Sequence, residues 1–248
     1  MPQQSASDRR QSVRTGVVWD GLRRVLEDGA VRGQQARIVD IGGGTGGFAV
    51  PLAELGHTVQ VIDPSPDALA SLDRRARERG VADRVTGQQG DLSDLASLVE
   101  EADLVLCHGV LEMVDDPAAS LAAIALVLRT GGHLSLLVAQ LHAAVVARAL
   151  AGHFRAAHEL LEGAGASAGP SGRSGRRFTH DEVVDLVTSA GMSPAAVHAV
   201  RVFADLVPGS LLDLEPGASA ALVELEQAVA TRPEYLPLAA QLHIIASR

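Results

Sequence analysis

Ile38-Val39-Asp40-Ile41-Gly42-Gly43-Gly44-Thr45-Gly46 is an apolar, β-branched run that breaks into glycines. The segment 37–41 reads as a strand and 48–55 as the helix after it. A chain that turns sharply from strand to helix needs residues free to take left-handed backbone angles. Glycine takes them without a Cβ clash and lets the backbone approach a ligand closely. The same turn cradles phosphates in dinucleotide-binding proteins, so glycines alone do not choose between ligands.

Two details choose. Asp40 precedes the glycines, where a carboxylate faces an ammonium group better than a pyrophosphate. The spacing is G-G-G-T-G-G, not the dinucleotide form G-x-G-x-x-G. The expected ligand is therefore S-adenosylmethionine (SAM), not NAD. Working outward, 57–63 is a second strand ending at Asp63, 17 residues past Gly46. An acidic side chain there accepts hydrogen bonds from both ribose hydroxyls. Gly90-Asp91-Leu92 follows a third, weaker strand, 84–88, where an adenine lies in this arrangement. His108 ends a fourth strand, 102–108, at the carboxyl edge where open α/β sheets bind ligands.

Between these strands lie amphipathic stretches, notably 66–79 and the helix that Asp116 and Pro117 start. Gly131-Gly132 is read as the stop of that helix, with a fifth strand over 133–138. Strands of continuous apolar character alternating with helices predict an α/β fold. Its form is Rossmann-like: a mostly parallel seven-stranded sheet with helices on both faces. An N-terminal helix from Arg14 to Glu27 is expected, with Val17, Val18, Leu22, Val25 and Leu26 on one side. Residues 1–13 are expected to be loose, and 14–248 to form one domain with a lid or helical insertion over 139–178. Thr179 and Glu182 spell a capping box before a helix over 181–190. A strand within 192–203, a helix over 216–231 and a last strand within 238–247 complete the reading.

Composition sets limits. The chain has 248 residues, formal net charge −9, a single cysteine and, among its 21 cationic side chains, no lysine. The acidic balance argues against indiscriminate nucleic-acid binding, since a phosphate backbone selects a positive field. One cysteine excludes an internal disulfide framework. No apolar run approaches the roughly 20 residues that span a bilayer, and the first 14 residues lack a signal peptide's apolar stretch. A cytoplasmic location without membrane association is expected. The histidines show no metal-ligand spacing, so no metal is expected.

Longer stretches carry a resemblance. His108-Gly109-Val110-Leu111-Glu112-Met113-Val114-Asp115-Asp116-Pro117 is similar to H-A-V-L-E-W-V-x-D-P of the bacterial tRNA 5-carboxymethoxyuridine methyltransferase family, within the class I SAM-dependent methyltransferases. Ala151-Gly152-His153-Phe154 resembles its A-G-N-F, and Val200-Arg201-Val202-Phe203-Ala204-Asp205 its V-R-V-F-H-D. Leu225-Glu226, Arg232-Pro233-Glu234-Tyr235 and Leu242-His243-Ile244 resemble its tail. The resemblance implies SAM contacts at Arg14, Gly42, Gly43, Asp63, Asp91 and His108. With the residue-based reading, the cofactor set is Arg14, Asp40, Gly42, Gly43, Gly44, Asp63, Gly90, Asp91 and His108. Arg14 would hold the methionine carboxylate through paired hydrogen bonds.

The implied reaction esterifies the carboxylate of a modified wobble uridine in tRNA. A carboxylate is ionised at neutral pH, so no general base is needed and no catalytic side chain is expected beyond positioning groups. Arg201, with His142 nearby, is the expected clamp on that carboxylate. The sequence departs from the family mainly on the acceptor side: Ala139-Gln140 replace a tyrosine-asparagine pair, and Ala204 and Leu206 a histidine and a tyrosine. A lysine-rich loop is reduced to Arg173, Arg176 and Arg177. A small-molecule O- or N-methyltransferase is therefore the alternative. If RNA is the acceptor, those three arginines should share a face with Arg148 or Arg155. A nucleophilic role for Cys107 is the weaker reading, because it continues the apolar run Leu104-Val105-Leu106.

Overall fold

The computed structural model describes residues 6–27, 35–163, 175–212 and 217–248, with side-chain description beginning at Thr15. Strand β1 (Arg37–Ile41) runs straight into the glycine turn, and α2 (Ala49–Glu54) leaves it. The alternation continues as expected. It runs through β2 (Thr58–Asp63), α3 (Pro66–Glu78), β3 (Val85–Gln89), α4 (Leu95–Leu98), β4 (Ala102–His108), α5 (Pro117–Val127) and β5 (Leu128–Ala139). Then come α6 (Leu141–Leu150), α7 (Phe154–Leu161), α8 (His180–Ser189), β6 (Ser193–Val200), α9 (Gly209–Leu212), α10 (Ala218–Val229) and β7 (Gln241–Ser247). The seven strands form one sheet in the order β3-β2-β1-β4-β5-β7-β6.

The ladders β3–β2, β2–β1, β1–β4 and β4–β5 are parallel. Ile41 lies opposite both Ile62 and Cys107, so three strands end together at one edge. The neighbours of β1 are β2 on one side and β4 on the other. That reversal of strand order marks the crevice where open α/β sheets take ligands. Strand β7 runs against β5: the Gly131 N–H reaches the Arg248 carbonyl at 2.9 Å, and the Gln140 N–H reaches that of Ala240 at 3.1 Å.

The helix starts follow their side chains. Ser65 Oγ accepts from the Ala68 N–H at 3.3 Å and Asp116 Oδ1 from the Ala119 N–H at 3.0 Å. The predicted capping box closes in both directions: the Thr179 N–H donates to Glu182 Oε2 at 2.7 Å, and the Glu182 N–H to Thr179 Oγ1 at 3.3 Å.

Two boundaries differ from expectation. The N-terminal helix α1 spans Ala6–Glu27, so it begins well inside the stretch expected to be loose. Once nucleated, a helix propagates by one hydrogen bond per residue and needs no apolar stripe. The expected stripe is nonetheless present, with Val17, Val18, Leu22 and Val25 buried. Gly131-Gly132 does not stop α5, which ends at Val127 with Leu128 already extended. The glycines form an irregularity inside β5, where the register against β4 jumps from Ala102↔Leu128 to Leu104↔His133. A Cβ on Gly132 would lie 2.9 Å from the Arg129 carbonyl oxygen, and Gly131 sits at φ +75°. Glycine's freedom serves a bulge here instead of a cap.

The chain divides into two compact units. One comprises Arg24–Leu137, Val184–Ala196 and Ile244–Arg248, and holds the glycine turn. The other comprises Met1–Arg23, Val138–Val183 and Val197–His243. The segment 139–178, expected as an insertion, belongs to this second unit. No helix among the described residues is long and apolar enough to cross a membrane.

Candidate active site

In the glycine-turn unit, a cavity of about 900 Å³ opens where β1, β2, β3 and β4 end. Gly42, Asp63, Gly90 and Asp91, four of the residues expected in the cofactor set, line it. The turn is built from backbone conformation. Gly42, Gly44 and Gly46 take φ +67°, +54° and +79°, angles that cost an L-residue with a Cβ. The Gly42 N–H is fixed on the Ile62 carbonyl at 2.7 Å, and the Gly46 N–H on that of Gly43 at 2.9 Å.

Asp63 ties this turn to β2. Its Oδ2 accepts from the Gly44 N–H and its Oδ1 from the Ser65 N–H, both at 2.9 Å. The carboxylate is 7% exposed yet reaches the cavity wall. Its remaining lone pairs suit hydroxyl donors.

Asp40 is buried at 2% exposure, and its Oδ2 has no hydrogen-bond partner. A Cβ on Gly43 would lie 2.5 Å from that oxygen. The missing side chain at Gly43 is thus what leaves the carboxylate its room. Burial first, and the charge of Asp63 second, push the Asp40 carboxyl up to about 7. A buried carboxylate with an unmet acceptor calls for a cation or a donor. The ammonium of SAM fits that demand, and a pyrophosphate would worsen it.

Gly90 also lines the cavity, and a Cβ there would stand 2.7 Å from Leu98 Cδ1. Asp91 Oδ1 accepts from the Ser93 N–H and Oγ at 2.7 and 2.6 Å, which lowers its pKa. His108, like Asp40, Gly43 and Gly44, is not among the cavity-lining residues; its Nε2 meets Ser135 Oγ at 2.9 Å and its ring packs edge-on to Phe48 at 4.8 Å. Burial holds it down to about 4, so the ring is neutral at pH 7. Arg14 lies on α1 and its side chain lies outside the described residues.

The cavity also uses Val110, Met113, Asp115 and Ser120, which the sequence reading left without a site role. For Val110, Met113 and Asp115 the signal was the run 108–117, quoted for resemblance and not for contact; Ser120 lies beyond it on α5. Met113, 66% exposed, stands where the family has its tryptophan.

The second unit has its own cavity, of about 480 Å³. Arg148 from α6, Arg177 from the segment before α8 and Arg201 from the end of β6 line it together, with His153, Asp205 and Gln241. Arg201 ion-pairs with Asp205 and donates to Gln241 Oε1 at 3.3 Å. Predicted neighbours are only partly assembled. His142 is exposed, bonds Gln140 at 3.2 Å and does not line the cavity; neither do Arg155 and Arg176. Arg173 lies outside the described residues. Cys107 is fully buried in β4. Burial, then the carboxylates of Glu112 and Asp40, push its thiol up to about 12, so it carries no thiolate at neutral pH.

Residues 39–136 match the family model described as a methyltransferase domain. The tRNA 5-carboxymethoxyuridine methyltransferase of Escherichia coli (strain K12) is 30% identical over 243 residues, covering 95% of this chain and 88% of that protein. A SAM-dependent methyltransferase from Mesorhizobium loti superposes with TM-score 0.59 at 21% identity, covering 94% of this chain and 98% of that one. Magnesium protoporphyrin IX methyltransferase from Synechocystis PCC 6803, solved with bound SAH, gives 0.60 at 17%, covering 100% and 90%. At such identities the two structures establish the fold alone. The full-length relative, the methyltransferase-domain match and the fold place the chain in one family: it belongs to the class I SAM-dependent methyltransferases, with the tRNA 5-carboxymethoxyuridine methyltransferases.

Proposed function

We propose that this methyltransferase esterifies the carboxylate of 5-carboxymethoxyuridine at the tRNA wobble position. One observation carries the reading: in a lysine-free chain of net charge −9, Arg148, Arg177 and Arg201 converge on a single cavity. Guanidinium groups match carboxylate geometry with paired donors, so this cavity selects an anionic acceptor. SAM, when bound, supplies an electrophilic methyl group. Asp40, Gly42, Gly43, Gly44, Asp63, Gly90 and Asp91 would hold it. Asp40 answers its ammonium, Asp63 its ribose and Asp91 the adenosine end. The acceptor carboxylate is already ionised at pH 7, so the chain's task is to bind and orient it. Arg201 is the primary clamp, with Arg148 and Arg177 shaping the positive field.

The relative from Escherichia coli, a tRNA 5-carboxymethoxyuridine methyltransferase, supports tRNA as the acceptor. A small-molecule acceptor is the second reading. It is favoured by Ala139, Ala204 and Leu206 standing where the family has tyrosine, histidine and tyrosine, and by Leu206 and Leu238 on the cavity wall. The test is methyl transfer to two tRNAs, one carrying 5-carboxymethoxyuridine and one lacking the carboxymethoxy group, read by mass spectrometry of the nucleosides. A methyl gained on the first alone supports the tRNA reading. No gain on either, with SAM binding intact, moves the acceptor to small molecules.

A further inference from the structure

Arg201 is the one non-glycine residue with positive φ among the described residues, at +62°. A residue with a Cβ holds that conformation only when its surroundings enforce it. The enforcement is visible directly after it. Glu226, on α10, is 1% exposed. Its Oε2 accepts from the Val202 N–H at 2.9 Å, and its Oε1 from the Phe203 and Ala204 N–H groups at 2.8 and 2.7 Å. One buried carboxylate thus collects three successive backbone donors. Such a group is costly to bury, and charge-assisted bonds of this kind offset the cost by rigidly fixing what they touch. What they fix is the turn that begins at Arg201. On the other side, the Arg201 carbonyl accepts from the Ala240 N–H at 3.3 Å, and its guanidinium is held by Asp205 and Gln241.

We infer that Glu226 is a positioning residue for the acceptor: it never meets the substrate, but its grip on Val202, Phe203 and Ala204 aims the Arg201 guanidinium into the cavity. A turn needing only to close would place glycine at a left-handed position. Keeping an arginine there, with a buried anion to hold it, means that the side chain's direction is what the arrangement secures. The inference rests on the reading that this cavity receives the acceptor carboxylate.

The test uses the full chain, SAM and tRNA carrying 5-carboxymethoxyuridine. Arg201→Ala comes first: an acceptor KM unchanged within about twofold overturns the acceptor-cavity reading itself. With that KM raised, Glu226→Gln decides the positioning role, because an amide nitrogen cannot accept an N–H. The expected result is an acceptor KM up by about tenfold, the range of a lost charge-assisted hydrogen bond. SAM affinity stays within about twofold, and hydrogen exchange at the 202–204 amides speeds up. In the Arg201→Ala background the same change adds less than about twofold, since coupled residues are not additive. Full additivity, or a fall in kcat and SAM affinity equal to the rise in KM, means that Glu226 is merely structural and overturns the inference. Should Glu226→Gln not fold, Glu226→Asp keeps the charge with a shorter reach and is read the same way. If neither folds, Glu226 is a folding residue and the inference fails.

Discussion

Two turns in this protein are held by a carboxylate gripping backbone N–H groups, and they solve opposite problems. In the glycine turn, Asp63 takes the Gly44 N–H, and the left-handed positions at Gly42, Gly44 and Gly46 are occupied without strain. In the turn after β6, Glu226 takes three N–H groups and the left-handed position is an arginine. The first turn removes side chains so that a ligand can approach the backbone. The second keeps a side chain at the cost of strain, and that side chain is the proposed clamp on the acceptor. A carboxylate latch therefore says little by itself; the residue placed at the strained position says what the turn is for.

The comparison breaks first, and hardest, at Gly43. Gly43→Ala puts a Cβ 2.5 Å from Asp40 Oδ2 and 3.0 Å from Val61 Cγ1, so the buried carboxylate must move. SAM affinity should fall by about 100-fold, the upper range for losing a charged hydrogen bond, as titration calorimetry can measure. Binding unchanged within threefold would separate Asp40 from the cofactor. Next in size, Arg201→Ala should raise the acceptor KM by about 30-fold while SAM affinity holds. An equal loss of both would merge the two turns' roles.

Asp40 gives a smaller and pH-dependent effect. Its folded pKa, about 7, lies above the ordinary 3.8. Between those values the folded chain binds the extra proton, so this group's contribution to stability falls as pH rises from about 4 to 7 and stays lost above. Asp40→Asn should therefore raise the Tm of the ligand-free protein at pH 8 and not at pH 4. SAM affinity should drop by about tenfold at pH 8 in that variant. In the unaltered protein, affinity should weaken as pH falls from 8 to 6. A pH-independent SAM affinity would contradict the carboxylate's role. The smallest effect is expected at Cys107: Cys107→Ala should leave turnover within about twofold, because the thiol stays protonated and buried. Abolished activity in a folded variant would reinstate it as a nucleophile.

Most of the sheet and the glycine turn were legible because their signals are local. Apolar runs mark β1, β2 and β4, glycines mark positive φ, and Asp116-Pro117 and Thr179–Glu182 mark helix starts within four residues. What stayed hidden depends on long-range geometry. Nothing local says that Gly131-Gly132 serves a bulge against Ala102 in place of a helix stop, since the register jump involves a neighbouring strand. The start of α1 at Ala6 was missed because polar residues propagate a helix silently. The arginine cavity joins Arg148, Arg177 and Arg201 across 53 positions, and His142, close to Arg148 in sequence, is left outside it. Glu226 was visible as part of a motif, but its grip on residues 202–204 exists only in the fold.

The most direct test of the acceptor assignment asks what bond the methyl group enters. tRNA carrying 5-carboxymethoxyuridine is incubated with the protein and methyl-labelled SAM, then treated with mild base. The account predicts that the label enters this tRNA alone and is released by base as methanol, the behaviour of an ester. Label that resists base, or that also enters tRNA lacking the carboxymethoxy group, would contradict it.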